Sequence, residues 1–385
     1  MDHTAPQVNR AIVYSEPAKS LKTDILQLPI PEPARGEVLV QLQGQPFLYA
    51  PGLRSSISSD STPESSSTNS SRHVDPNPEG VHVKTQEINT TWNMQARSAA
   101  MKQGVGIVVS HGPDVASPPI GSRVGIKYAA DACLTCDRCT EGGESSCSNG
   151  KVSGYFTPGT FQQYCLAPAR YLTPIPDALE LSAAAPLMCG GLTVYTALKR
   201  AGLCPGQWVA VCGAGGGLGH LGIQYAKAMG GRVIALDVGS KKDLCCSVGA
   251  DEFLDFTKFE SDPALAAKVK QLTNGGARIA LICAPSGKAY AQAMSWLGFR
   301  GTLVCLGIPD HEGSLVPNIT AMVRDELRII ATKTGNQLDA RECLEIAAQG
   351  HVKVRYQIRR MDELTKVFEE LESGLVHGRV VLDLS

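Results

Sequence analysis

Residues 208–237 read Trp208-Val-Ala-Val-Cys212, Gly213-Ala-Gly-Gly-Gly-Leu-Gly219, His220-Leu-Gly-Ile-Gln-Tyr-Ala-Lys-Ala-Met229 and Gly230-Gly-Arg-Val-Ile-Ala-Leu-Asp237. The first five residues form a short apolar run suited to a buried parallel strand. From Leu218 to Met229 apolar positions return at helical spacing through Leu221, Tyr225 and Ala228, and Arg232 to Leu236 resumes a strand that ends in Asp237. A glycine-rich turn between strand and helix lets backbone approach a pyrophosphate, and the first turn of the helix offers unpaired N–H groups to it. The glycine register is imperfect, since Ala214 precedes the Gly216 to Gly219 spacing. The acidic Asp237 lies 18 positions beyond Gly219. Its carboxylate suits ribose hydroxyls and would repel a 2′-phosphate, so the stretch favours NAD over NADP.

Alternation continues on the C-terminal side. Strand-like runs at Ile279 to Cys283, Thr302 to Leu306 and Leu327 to Ala331 are interleaved with helical stretches near 263–273 and 286–297, the pattern of a doubly wound parallel sheet. Asp339 to Gln349 and Asp362 to Ser373 read as amphipathic helices, followed by a strand over Val380 to Leu384. On the N-terminal side Arg10 to Tyr14, Glu37 to Gln43, Val105 to Val109 and Arg123 to Ile126 read as short strands between Pro and Gly turns, predicting a separate β-rich domain.

The cysteines form a second pattern. None precedes Cys133, and four then fall close together at Cys133, Cys136, Cys139 and Cys147. Such spacing lets one tight loop converge four thiolates on a single ion, which suits a closed tetrahedral structural zinc site. The rival is an iron–sulfur cluster, whose bacterial-type run closes after three residues and continues with proline. Here the closing gap is seven residues and Ser148 follows. The polar, Gly-rich content of the loop predicts a surface lobe.

Length and composition bound the rest. At 385 residues the chain is long enough for two or three domains. Its 36 basic and 37 acidic side chains leave no excess charge of the kind that draws a protein to nucleic acid. Residues 1–17 have no apolar core run, and no uninterrupted apolar stretch approaches the length of a membrane span. With 13 cysteines, this predicts a cytoplasmic protein whose cysteines are thiols or metal ligands.

Further motifs extend the pattern: Ser153-Gly-Tyr155, Gly159-Thr-Phe-Gln-Gln-Tyr164, Ala185-Pro-Leu-Met-Cys-Gly-Gly-Leu-Thr-Val-Tyr195, Gln224-Tyr-Ala-Lys-Ala-Met-Gly230, Asp255-Phe-Thr-Lys258 and Gly335-Asn336 with Asp339. With the four-cysteine lobe and the glycine turn, they make the chain resemble the zinc-containing alcohol dehydrogenases of the medium-chain dehydrogenase/reductase superfamily, fungal tetrameric type, over residues 8–43 and 104–385. The resemblance implies a GroES-like catalytic domain (1–182 and 325–385) split around a Rossmann coenzyme domain (183–324), and NAD-dependent hydride transfer between an alcohol and its aldehyde or ketone. It implies that Cys189 is a catalytic zinc ligand and that Thr193 sits near the nicotinamide. Gly213, Gly216, Gly217, Leu218, Gly219, Asp237, Lys242 and Gly307 then form the coenzyme site. Lys241 and Lys242 read equally well as a solvated helix start. Gln337 stands where the resemblance implies an arginine contacting pyrophosphate. A homodimer or homotetramer built through the coenzyme domains is also implied, as is a specialised, secondary-metabolic alcohol or carbonyl substrate.

Between residues 44 and 103 the chain departs from the resemblance. Ten serines and two threonines crowd residues 55–71, a composition that cannot offset the entropy of ordering it. The block reads as an atypical, structureless insert. No cysteine stands where the resemblance implies a Gly-x-Cys-His-x-Asp ligand motif, and Met101-Lys102-Gln103 replaces the expected Gly-His-Glu. A protonated lysine has no lone pair to offer a metal. His73 and His82 read as loop residues, His111 likewise, and His220 as an exposed residue of the coenzyme helix. Three accounts remain open for the block: a translated intron or shifted reading frame, a genuine insertion in a protein without catalytic zinc, or a divergent site. Three functions accordingly stand side by side: a zinc- and NAD-dependent alcohol dehydrogenase, a zinc-independent quinone or enoyl reductase, and a non-catalytic dinucleotide-binding remnant. The four-cysteine lobe argues against the second.

Overall fold

A computed structural model describes residues 8–14, 22–47, 103–154, 157–309, 317–373, 375–376 and 378–384. His73, His82, Lys102, Tyr155 and most of the 44–103 block lie outside the described residues.

Six strands form a parallel sheet in the order Glu252–Asp255, Arg232–Asp237, Trp208–Cys212, Ala277–Ile282, Leu297–Cys305 and Arg328–Ala331. The strand that opens the glycine turn is therefore central. Chain order reverses across it, because Arg232–Asp237 pairs on one side and Ala277–Ile282 on the other, and a crevice at such a reversal is where open α/β sheets take ligands. The central strands are buried on both faces, with Val209, Ala210, Val211, Ile279, Ala280 and Leu281 fully covered. Parallel strands carry helices on both sides, so both faces must be apolar. The last strand, Arg328–Ala331, pairs with Leu297–Cys305 in this sheet and lies beyond the expected domain boundary at 324. That boundary leaves out the edge strand, which backbone pairing assigns to the coenzyme half.

The second body is a seven-stranded sheet, ordered Tyr356–Arg360, Arg379–Asp383, Glu37–Phe47, Gly104–His111, Arg123–Ile126 and Thr173–Pro174, with Tyr164–Pro168 also pairing Glu37–Phe47. The first long strand and the last strand of the chain are thus neighbours. Val38, Val40, Val108, Val124, Phe368 and Val380 fill its core. The strand from Glu37 runs on to Phe47, pairing Gln45, Pro46 and Phe47 with Leu382, Val381 and Val380, and Gln103 is buried with its carbonyl accepting from Thr160 Oγ1 at 2.7 Å. Residues 44–47 and 103 accordingly belong to the fold, a correction to the expected bounds of the insert. Their polar side chains hid them: Gln45 is fully buried but hydrogen-bonded to Thr160, so burial there leaves no hydrophobic trace in the sequence.

Between the sheets runs a helical segment from Leu181 to Ala201, made of Leu181–Pro186, a π-helical turn Leu187–Gly191 and Leu192–Ala201. It is apolar and long enough by composition to cross a bilayer, yet most of it is buried in the protein. Its second half is amphipathic, with Lys199 and Arg200 exposed and Val194, Ala197, Leu198 and Ala201 buried. Leu187, Val194 and Leu198 share one core cluster with Val105 and Val381 of the second body and Val209 and Leu281 of the first.

Candidate coenzyme cleft and metal lobe

The glycine turn is shaped by contacts that exclude side chains. Gly213 has φ +72°, which residues with a Cβ rarely adopt. A Cβ on Gly219 would overlap the Gly213 carbonyl, and one on Gly307 would overlap the Ala284 carbonyl. Gly213 also packs against Ala284, so residues 213 and 307 meet on the same small residue at the mouth of the sheet. Gly216, Gly217 and Leu218 lead into the helix Gly219–Ala228, whose first N–H groups face the turn with the positive end of the helix dipole.

Asp237, at the end of the neighbouring strand, accepts the N–H of Gly215 at 2.7 Å through Oδ2 and of Val238 at 2.8 Å through Oδ1. Each oxygen keeps a lone pair free. The carboxylate thus fixes the turn and still presents charge to a ribose. Lys242 is exposed at the start of Lys242–Ser247, whereas the aliphatic stem of Lys241 lies against Gly215. Asp237→Ala should weaken NAD binding and narrow its advantage over NADP; parallel titrations with both dinucleotides check this, and an unchanged ratio would remove Asp237 from the site.

A buried arginine completes the cleft. Arg379 is 3% exposed, donates from Nε to the Gly217 carbonyl at 3.0 Å, and its Nη2 has no hydrogen-bond partner among the described residues. Burial pulls its guanidinium below the ordinary arginine value, with Cys189 and Cys283 opposing that shift; arginine nevertheless stays charged in proteins. A Cβ on Gly190 would overlap Nη2, and one on Gly217 would crowd Nε. The two glycines make room for the guanidinium between the π-helical turn and the glycine turn. A charged donor left unpaired in an interior is costly, and a pyrophosphate oxygen beside Gly217 would satisfy it. The sequence reading missed this residue because it lies far along the chain from the glycine turn, in a strand whose signal was only its apolar run. It had instead expected the pyrophosphate contact at 337. Gln337 is elsewhere: its N–H donates to Glu144 Oε2 at 3.0 Å and its side chain reaches the Arg170 carbonyl, both at the cysteine lobe.

His220 is also corrected. It is fully buried, with Nδ1 2.9 Å from the Gly216 carbonyl and Nε2 3.5 Å from the Arg355 amide nitrogen. Burial, together with Arg379 and Arg355, lowers its pKa to about 4. One face of the coenzyme helix meets the catalytic body instead of water, which periodicity within the helix cannot reveal. His111 bonds the Pro118 carbonyl at 2.7 Å.

Cys189 is buried at the middle of the π-helical turn and Thr193 is half-buried in the first turn of the following helix. π-turns recur at functional sites because they re-aim one residue. Among the described residues no second group of three or more metal-ligating side chains exists besides the lobe. The described residues therefore do not form a catalytic zinc site around Cys189.

The lobe itself fits a metal. The sulfurs of Cys133, Cys136, Cys139 and Cys147 all lie within 4.8 Å of one another, with 3.5 Å between Cys133 and Cys147, 3.8 Å between Cys136 and Cys147, and 4.0 Å between Cys133 and Cys139. A tetrahedron with Zn–S bonds of about 2.3 Å has edges of about 3.8 Å. Amide hydrogens of Cys133 and Cys136 point at Cys147 Sγ and Cys133 Sγ, each at 3.3 Å. Backbone N–H groups of Thr135 and Cys136 lower the Cys133 pKa to about 5, while burial and the neighbouring thiols push Cys139 up to about 12. Four thiolates cannot coexist there without a cation. The lobe docks on the helix Gln337–Ala348: the Gly142 carbonyl accepts from Asn336 Nδ2 at 3.2 Å, and Glu144 Oε2 takes both Gln337 N–H and Tyr171 O–H. Asn336 and Asp339 close a capping box at the same terminus.

Comparison with known proteins agrees with this geometry. Residues 217–349 match the family described as zinc-binding dehydrogenase and residues 77–177 the alcohol dehydrogenase GroES-like domain. The second match begins inside the 44–103 block, so the part from 77 onward falls within a family-like stretch, contrary to the reading of the block as wholly foreign. Alcohol dehydrogenase 2 of Emericella nidulans is 40% identical, with 99% of this chain and 98% of that protein covered. The alcohol dehydrogenase of Schizosaccharomyces pombe is 39% identical over 79% of this chain and 87% of its own length. A solved NAD-dependent alcohol dehydrogenase superposes with a TM-score of 0.77 at 25% identity, covering 98% of this chain and 100% of that one. A Rossmann sheet, a GroES-like body, a four-thiolate lobe and full-length similarity to fungal relatives coincide, and the chain belongs to the zinc-type alcohol dehydrogenase family of medium-chain dehydrogenases/reductases.

Proposed function

We propose that this protein interconverts a small alcohol and its aldehyde or ketone with NAD as hydride carrier. The observation that carries the reading is the buried Arg379 guanidinium, unpaired at Nη2 beside the Gly216–Gly217 turn. The bound coenzyme supplies a nicotinamide ring that accepts hydride from the alcohol carbon or returns it to the carbonyl. The chain's part is to seat the pyrophosphate on the helix N-terminus and Arg379, to take the ribose with Asp237, and to exclude water. The half-buried Thr193, one helical turn from Cys189, would orient the nicotinamide end.

Full-length similarity to named alcohol dehydrogenases supports catalysis. That the four-cysteine lobe is the one group of three or more metal-ligating side chains among the described residues favours a second reading, a dinucleotide-binding protein that keeps the structural lobe and has lost hydride transfer. The retained lobe disfavours a zinc-independent quinone or enoyl reductase. Purified protein assayed with NAD and a panel of primary and secondary alcohols, together with its zinc content, separates them. Turnover with two zinc ions per chain supports the dehydrogenase. Coenzyme binding with one ion and no turnover supports the second reading.

Thirteen free thiols support a reducing compartment such as the cytoplasm. A subunit contact through the coenzyme domains is supported by the open edge of Arg328–Ala331 and by the exposed Ile308, Ile319 and Val323 nearby in sequence. A specialised secondary-metabolic substrate rests on divergence of the 44–103 block alone.

A further inference from the structure

We infer that His220 is a positioning residue that ties the glycine turn to the backbone of Arg355 and so holds the Arg379 guanidinium over the pyrophosphate seat. The inference rests on the reading of that turn as the coenzyme site.

A carbonyl oxygen only accepts, so the Nδ1 that lies 2.9 Å from Gly216 O carries the ring proton. Nε2 is then left with a lone pair, and it faces the Arg355 N–H at 3.5 Å. The Arg355 carbonyl in turn accepts from the Arg379 N–H at 2.9 Å. Arg379 closes the circuit by donating to Gly217 O. The ring therefore runs from the turn through the imidazole to Arg355, along the backbone to Arg379 and back to the turn. It spans the two bodies of the molecule.

Two further observations show that this junction is tightly specified. Gln224, one helical turn beyond His220 and on the same face, accepts from Lys353 N at 2.7 Å and donates to Lys353 O at 3.1 Å. Gly378 has φ +80°, and a Cβ there would overlap the Arg355 carbonyl. The segment 353–355 is thus pinned from the helix side by two side chains and from the strand side by close backbone contact. A full-sized imidazole is buried at this junction, where burial first, and then Arg379 and Arg355, oppose its protonation. The alternative is a core histidine that merely fills space, which predicts a loss of stability but no link to Arg379.

The test is NADH binding to the purified full chain, followed by nicotinamide fluorescence, in a double-mutant cycle. His220→Asn keeps a donor for Gly216 O but is too short to reach the Arg355 N–H; the dissociation constant should rise about tenfold, the usual effect of one hydrogen bond. His220→Gln, whose amide oxygen reaches further, should recover most of that loss. In an Arg379→Gln background, His220→Asn should add little, since its effect passes through the guanidinium. Fully additive losses, or unchanged affinity in a folded His220→Asn protein, would overturn the inference. Should that variant not fold, Gln224→Leu severs the adjacent tie to Lys353 and should weaken NADH severalfold; no change would count equally against it. If wild-type protein binds no NADH, the coenzyme reading itself fails, an outcome distinct from intact binding that ignores His220.

Discussion

Cys136→Ser should strip the metal from the lobe and lower the melting temperature by roughly 10 °C, given the usual scaling of structural zinc and stability in domains of this size. The expectation follows from the sulfur tetrahedron, in which Cys136 lies 3.8 Å from Cys147 and the set closes within 4.8 Å. A hydroxyl at one corner is a poor zinc ligand at neutral pH, and three remaining thiols with opposed proton affinities do not hold the ion as tightly. The damage does not stop at the lobe. Glu144 and Gly142 are positioned by it, and both take hydrogen bonds from the start of Gln337–Ala348. That helix packs Ala340, Cys343 and Leu344 into the core shared by both bodies. Differential scanning calorimetry with zinc analysis checks the result. A protein that keeps its full zinc and melts normally after the substitution would show that the four thiols are not a metal site.

Arg379→Gln should weaken NAD by roughly 30- to 150-fold, the equivalent of about 2–3 kcal/mol for a charge-assisted contact removed from an anion. Glutamine can retain a bond to the Gly217 carbonyl but brings no charge and no second nitrogen to the turn. The loss should appear in coenzyme affinity more than in alcohol affinity, because Arg379 Nε bonds the Gly217 carbonyl of the glycine turn. Isothermal titration with NAD reads it directly. Affinity within a few-fold of wild type would mean that the orphaned Nη2 serves only packing. The same titration with NADP offers a control: a site that rejects the 2′-phosphate through Asp237 should remain selective, since the two residues act on different parts of the ligand.

Much of the coenzyme half was readable from residues. Trp208–Cys212 and Arg232–Asp237 came out at their sequence limits or within one residue, because a parallel strand buried on both faces is a compact apolar run bounded by glycine. The lobe was readable from spacing alone, since four thiols within one loop have little else to do. What stayed hidden shares one cause. Arg379, the burial of His220 and Gln45, and the displacement of Gln337 to the lobe are decided by contacts between residues distant along the chain. Arg379 meets Gly217 across 162 positions, and Gln337 meets Glu144 across 193. A local window reads such polar residues as solvated, although each is satisfied or placed by a partner far along the chain.

Strand Arg379–Asp383 sits between Tyr356–Arg360 and Glu37–Phe47 and also carries the guanidinium that faces the coenzyme turn. During synthesis the chain emerges N-terminus first, so the dinucleotide turn and the metal lobe are both exposed to the cell before codon 379 is read. The Glu37–Gln41 part of the neighbouring strand is covered as soon as Tyr164–Pro168 is made, but Gln45 to Phe47 wait for Val380 to Leu382. Ligand grip and closure of that edge therefore arrive in the same step, when this one strand is made. Loss of residues 379–383 would leave the zinc lobe and glycine turn in place, with Gln45 to Phe47 as an uncovered β-edge inviting aggregation and no arginine to hold the coenzyme.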